Sequence, residues 1–145
     1  MSDFDPAILR PGARKLYDYW RSKCVGGRLP ARADIDPLEV PLLMPVMYLV
    51  DVERADGELR FRMRLVGTEV NTRFGRDSSG TWADEDEPLR KALPDFQAAV
   101  EGRTPHYTSS ARYTGKEHIG YDRLILPLAG DGETVDMLVG VLCFD

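Results

Sequence analysis

The chain has 145 residues, of which 43% are apolar, 30% charged and 9% aromatic, the length and balance of one soluble domain that folds without disulfide or metal staples. Nineteen Lys and Arg against twenty-four Asp and Glu leave a net charge of −5, which works against nucleic-acid binding and against docking on anionic lipid. No apolar run approaches the ~18 residues of a membrane-spanning helix and the start lacks a signal-peptide core, so the expected location is the cytoplasm.

Ala13, Leu16, Tyr17, Trp20 and Cys24 recur at spacings of three and four and predict an amphipathic helix over 13–24, stopped by Gly26-Gly27. Cys24 and Cys143 are the two thiols; without CxxC spacing they read as buried apolar-like groups rather than a disulfide or zinc ligands. Pro30, Pro37, Pro41 and Pro45 forbid a long helix or central strand between residues 28 and 45, leaving a short turn over 37–43 capped by Asp36. Residues 1–45 therefore form an N-terminal helix and Pro-rich cap, and 46–145 the core of the same domain.

Strands over 46–53 and 59–66 flank Asp56-Gly57, a hairpin-turn signal. Centred there, Tyr48 faces Leu65, Val50 faces Met63 and Val52 faces Phe61. The reverse face then pairs Asp51 with Arg62 and Glu53 with Arg60. The arginine row 60, 62, 64 reads as a solvated strand face, with an anion site as the alternative. Residues 67–75 support two helical turns ending at Gly75. Leu89, Leu93, Phe96, Ala99 and Val100 form a helical apolar stripe that Pro94 should kink or split. The acidic run 84–87 suits the start of that helix; metal binding is the alternative.

The last third predicts a three-stranded meander over 104–113, 118–128 and 134–144, with turns at 114–117 and 130–132. Pairing about the second turn sets Ile125 opposite Met137, Arg123 opposite Val139, Tyr121 opposite Val141 and Leu124 opposite Leu138. About the first, His106 faces Ile125 and His118 faces Tyr113. The histidines then lie roughly 23 Å apart and cannot share one metal within a subunit. The last two strands are apolar on both faces and need cover on both sides, from the central helices and from the helix bearing Trp20. The fold class is α+β, with helices inserted between the second and third of five antiparallel strands.

That order of elements resembles the Per-ARNT-Sim (PAS) fold, for which the resemblance implies strand order 2-1-5-4-3. The chain is also similar to a bacterial PAS subfamily. The matching pieces are Leu16…Tyr19-Trp20, the segment 28–37 containing Leu29-Pro-Ala-Arg-Ala-Asp-Ile-Asp-Pro37, Leu49-Val-Asp51, Arg64-Leu-Val-Gly-Thr68, Phe74-Gly-Arg-Asp77 with Gly80, and Leu126-Pro-Leu128. The resemblance implies a signalling or regulatory setting and no particular reaction. Haem-binding members use a histidine on the long helix, and residues 89–101 have none. Flavin (LOV) and photoactive-yellow-protein types need a cysteine in the central helices, absent here. These absences disfavour haem and flavin, and no cofactor is identifiable.

No phosphate loop, no Gly-x-Ser-x-Gly elbow and no activated serine appear, so the reading is non-enzymatic. Candidate walls of a ligand pocket between sheet and helices are Tyr48, Phe61, Met63, Leu65, Phe74, Trp82 and Phe96, with Tyr107 or Tyr121 supplying a hydroxyl depending on which face of the meander looks inward. Each could instead simply fill the core. Two functions compete: a sensor that binds a small molecule, and a solid interaction module that dimerises or docks a signalling partner through Leu9, Leu16, Tyr17 and Trp20. An enzyme of unknown activity is the third. The last strand runs to the final residues without a helical linker, kinase or DNA-binding segment. Output would then pass through a separate chain, unless the sequence is a piece of a longer protein.

Overall fold

Four prolines between residues 30 and 45 leave room only for short 3-10 turns between the first helix and the sheet. The computed structural model describes residues 5–145, so the part of the signal-peptide and cap readings that falls on the first four lies outside it. Helix α1 spans Pro11–Ser22, starting two residues before its apolar stripe because Pro11 occupies the first helical turn. Strands β1 (Met47–Ala55) and β2 (Glu58–Val66) follow. Then come helices α2 (Thr68–Phe74), α3 (Glu87–Arg90) and α4 (Leu93–Gly102), and strands β3 (His106–Tyr113), β4 (Lys116–Leu128) and β5 (Met137–Phe144). The sheet is antiparallel in the order β2-β1-β5-β4-β3, an α+β arrangement. The stripe around Pro94 is indeed split, into α3 and α4. No helix of the described residues is long and apolar enough to cross a membrane.

The β1–β2 turn has Asp56 and Gly57 both at positive φ (54° and 78°), as a two-residue hairpin requires. The pairs Val50–Met63, Asp51–Arg62, Val52–Phe61 and Glu53–Arg60 form as expected. A bulge then leaves Arg64 unopposed. Tyr48 consequently pairs with Val66, and Leu65 moves to the opposite face beside Leu49, where it is 54% exposed.

The β4–β5 register departs from the expected one by three residues: Ile125 pairs with Gly140, Leu126 with Val139, Arg123 with Leu142 and Tyr121 with Phe144. The cause is the connection. Instead of a tight turn at 130–132, residues 129–136 form a loop with its own hydrogen bonds. Asp131 Oδ1 accepts from the backbone N–H groups of Glu133 and Thr134, and Asp136 Oδ2 from that of Gly130. Ala129 N–H donates to Pro30 and Leu29 N–H to Gly132, tying the loop to the Pro-rich cap. In β3, His106 does face Ile125, but Tyr113 pairs with Lys116 rather than His118. Irregularities between Thr108 and Ala111 and between Arg112 and Tyr113 shift the register; within the first, Ser110 has φ 58°.

Both faces of the sheet are covered. On one, Val50, Val52, Phe61, Met63, Ile125 and Leu138 pack against the central helices through Val70, Phe96 and Ala99. On the other, Leu49, Leu124, Leu126, Val139 and Val141 pack against Ala13, Leu16, Trp20 and Ile35. Trp20 is 4% exposed, and its Nε1–H donates to the Pro127 carbonyl at 2.9 Å. Arg10, just before α1, reaches the far end of the sheet. Its guanidinium bonds to the Cys143 and Phe144 carbonyls and to the carboxylates of Asp122 and Asp145.

A cavity between the sheet and the central helices

Adjacent residues of a strand point to opposite faces, and β4 uses this to place two neighbouring charges in two different environments. Asp122 turns to the α1 side, where Arg10, the Tyr107 hydroxyl and the Ser110 N–H all bond to it. Burial pushes the Asp122 carboxyl up, but these three partners outweigh it and hold the group below the usual carboxylate range. Burial beside that carboxylate pushes the Tyr107 phenol up to about 12. Arg123 turns to the other side, towards the central helices.

There the structure leaves a cavity of about 60 Å³, partly open to solvent. Its apolar walls include Met63, Val66, Phe74, Leu89, Phe96 and Leu142; Arg76 is the exposed member of the lining and marks the side nearest solvent. Phe74, on the last turn of α2, stacks on Tyr113 with ring centres 3.9 Å apart and touches Tyr121 at 5.7 Å. Gly75 ends that helix at φ 79°, so the chain can reverse into the Arg76 loop.

Three polar atoms of the lining are buried without a hydrogen-bond partner: the Tyr48 hydroxyl, Asn71 Oδ1 and Arg123 Nε. Buried polar groups are nearly always paired, so three orphans on one cavity mark a place for something that pairs them. Tyr48 is 5% exposed, and burial pushes its phenol well above the ordinary value. One end nitrogen of Arg123 is ion-paired to Asp95 on the first turn of α4. Asp95 also meets His106 Nε2 at 2.9 Å and the Thr108 hydroxyl at 3.1 Å. Burial works against the Asp95 carboxylate, yet Arg123 and His106 together hold its pKa below the usual range. Arg76 is ion-paired to Asp86, and its Nε–H donates to the Tyr113 hydroxyl. The lining thus holds two guanidinium groups and no carboxylate.

Of the residues expected to line a pocket, Tyr48, Met63, Phe74, Phe96 and Tyr121 meet here. Phe61 lies in the same core layer, its ring 5.5 Å from that of Phe96, but is not part of the lining. Leu65 is on the opposite face, as described. Trp82 sits at the sheet edge under Arg60, whose guanidinium is 4.1 Å from the indole centre. Tyr107 faces Asp122 on the α1 side, so Tyr121 is the meander tyrosine that looks into the cavity. Of the expected interface residues, Leu9, Leu16 and Trp20 are buried within the chain itself, and Tyr17 is half-buried with its ring 6.0 Å from that of Trp20. The acidic run serves ion pairing: Asp84 and Glu85 with Arg60, and Asp86 with Arg76.

Asn71 and Arg123 were not among the expected site residues. The signal for Arg123 was available: a cation in a strand apolar on both faces has no solvent to reach. Asn71 carried no comparable signal, since it lies in a short polar helix.

A second, more open hollow of about 390 Å³ lies beside the Pro-rich cap, walled by Ile35, Pro41, Pro45, Met47, Leu49 and Leu65 among others. It is larger and shares Tyr48 with the first cavity, but the other two residues with unpartnered buried polar atoms, Asn71 and Arg123, line only the cavity under the central helices.

Compared with protein families, the chain matches the model of the family described as PAS domain over residues 9–143. No curated protein matches the sequence.

Proposed function

The chain belongs to the PAS-domain family, and from that premise we propose that it is a non-catalytic sensory domain that binds a small molecule in the cavity under α2–α4 and responds through those helices. The family is one of sensory and regulatory modules in general. The observation that carries the ligand reading is the set of three unpartnered polar atoms, from Tyr48, Asn71 and Arg123, on one apolar cavity. A filled core would have no use for them.

A response path follows from the same contacts. Arg123 on β4 grips Asp95 on α4, while Phe74 and Asn71 on α2 form the facing wall. A ligand that engages Arg123 and Asn71 together sets the spacing between sheet and helices. Native mass spectrometry of freshly purified protein, beside its near-UV and visible spectrum, tests the reading. The expected result is a retained small mass, or a thermal stabilisation by added metabolites, that disappears in a cavity-filling Val70→Phe variant. A clean mass and no metabolite response in either protein would count against it.

Self-association is the second reading, supported by a different patch from the one α1 suggested. Met44 and Leu65, 42% and 54% exposed, line the hollow beside the cap, and Leu38 and Leu42, 74% and 80% exposed, follow its lining residues Pro37 and Pro41 in the chain. Sedimentation of Leu42→Asp beside the parent chain tests it: a dimer in the parent that becomes a monomer in the variant supports a second copy on this patch.

A further inference from the structure

We infer that the cavity takes a short 2-hydroxy monocarboxylate of the size of glycolate or lactate, its carboxylate between the Tyr48 hydroxyl and Arg123 Nε and its hydroxyl donating to Asn71 Oδ1. The inference rests on the ligand-pocket reading above and gives that ligand a chemical class.

The argument runs from the three orphan atoms. Arg123 Nε carries an N–H and can only donate. The Tyr48 hydroxyl donates readily, since its burial disfavours the phenolate. These two groups call for an acceptor. Asn71 Nδ2 donates to the Val66 carbonyl at 3.4 Å, which leaves Oδ1 as the unpartnered atom of that side chain, and that atom calls for a donor. One ligand therefore needs acceptor oxygens and a hydroxyl or amine hydrogen.

Charge narrows the class. Both guanidinium groups of the lining are each tied on one side to a carboxylate, Arg76 to Asp86 just before α3 and Arg123 to Asp95 on α4, and no carboxylate lines the cavity itself. An anionic acceptor is favoured over a neutral one, because a hydrogen bond to a charged oxygen is roughly twice as strong. An amine as the donor would bring a second charge among apolar walls, so the donor is a hydroxyl.

Size narrows it further. At about 60 Å³ the cavity is small, which favours a ligand of few non-hydrogen atoms. That admits two- and three-carbon hydroxy acids. A methyl group fits the walls formed by Leu89, Phe96 and Leu142, whereas inorganic phosphate would leave them uncovered.

The test is calorimetric and ligand-observed NMR titration of the full chain with glycolate, lactate, pyruvate, propionate and the neutral lactamide. Glycolate and lactate should bind. Pyruvate and propionate, which lack the hydroxyl donor, should bind several-fold more weakly, and lactamide at least roughly tenfold more weakly. Tyr48→Phe should weaken lactate roughly tenfold without lowering the melting temperature of the unliganded protein. Asn71→Ala should make lactate and propionate equal. Lactamide binding as tightly as lactate, and lost in Tyr48→Phe, overturns the carboxylate class while leaving the ligand pocket standing. No binding of any of the five at millimolar concentration, with a clean native mass, overturns both.

Discussion

The Tyr48 ring lies directly over the backbone of Gly140, its partner on the neighbouring strand: a Cβ at Gly140 would fall 2.1 Å from Tyr48 Cζ and 2.4 Å from its hydroxyl oxygen. Gly140 is a glycine for space and not for backbone conformation. Its missing side chain leaves room for a tyrosine to lie across the strand, with its hydroxyl buried in the core. Gly140→Ala should cost about 1–3 kcal/mol by overpacking and displace the hydroxyl. Chemical denaturation measures the first effect, and lactate affinity the second.

Tyr48→Phe should act in the opposite direction on the unliganded protein. The hydroxyl is buried and unpaired, so removing it relieves a desolvation penalty of about 1 kcal/mol and raises the melting temperature. A variant that is less stable than the parent would show that the hydroxyl is already satisfied in solution.

Trp20→Ala should destabilise the fold by about 3–5 kcal/mol. It empties the centre of the α1 face and strips the Pro127 carbonyl of its donor. Urea denaturation gives the value; a loss below ~1 kcal/mol would mean that α1 contributes little to the sheet's cover.

Acid should loosen the attachment of α1. The Asp122 carboxyl sits below its unfolded pKa of about 3.9, so the unfolded chain takes up the proton first. Its contribution is whole above about pH 5 and is lost as pH falls through 4 and below. Asp122→Asn should flatten that part of the stability–pH curve and cost about 2 kcal/mol at neutral pH, less than a fully buried pair because the Arg10 side chain is 35% exposed. Melting temperatures of both proteins across that range check the sign.

Arg62→Ala should change stability by less than about 1 kcal/mol. Its guanidinium makes one hydrogen bond, to the Gly80 carbonyl at 3.2 Å, from an exposed position on β2. A larger loss in urea denaturation would show that the strand edge depends on it.

The architecture was legible because its signals are local and repeat. Asp56-Gly57 fixes a hairpin, Pro94 splits a helix, and the apolar strands near the C-terminus demand cover on both sides. Registers were legible only where a tight turn sets them. The β1–β2 pairs hold from the turn back to Val50 and then slip at the bulge, which moves Leu65 off the pocket face. The β4–β5 pairs slip throughout, because the hydrogen bonds of Asp131 and Asp136 build a loop that no dipeptide announces. The candidate site inherits this limit. Tyr48, Met63, Phe74, Phe96 and Tyr121 fall in place as apolar surface. Arg123 owes its role to a register, and Asn71 to the packing of a two-turn helix against a distant strand.

The segment Gly80–Trp82 lies alongside β2, with Gly80 N–H donating to the Met63 carbonyl and Met63 N–H to the Thr81 carbonyl. At the other margin, β3 is interrupted where Ser110 takes a left-handed backbone and turns its N–H to Asp122. Neither margin offers a long straight row of free backbone groups. A foreign strand therefore has no template on which to extend the sheet, and the protein is guarded at both margins against the edge-to-edge stacking that leads to fibrils.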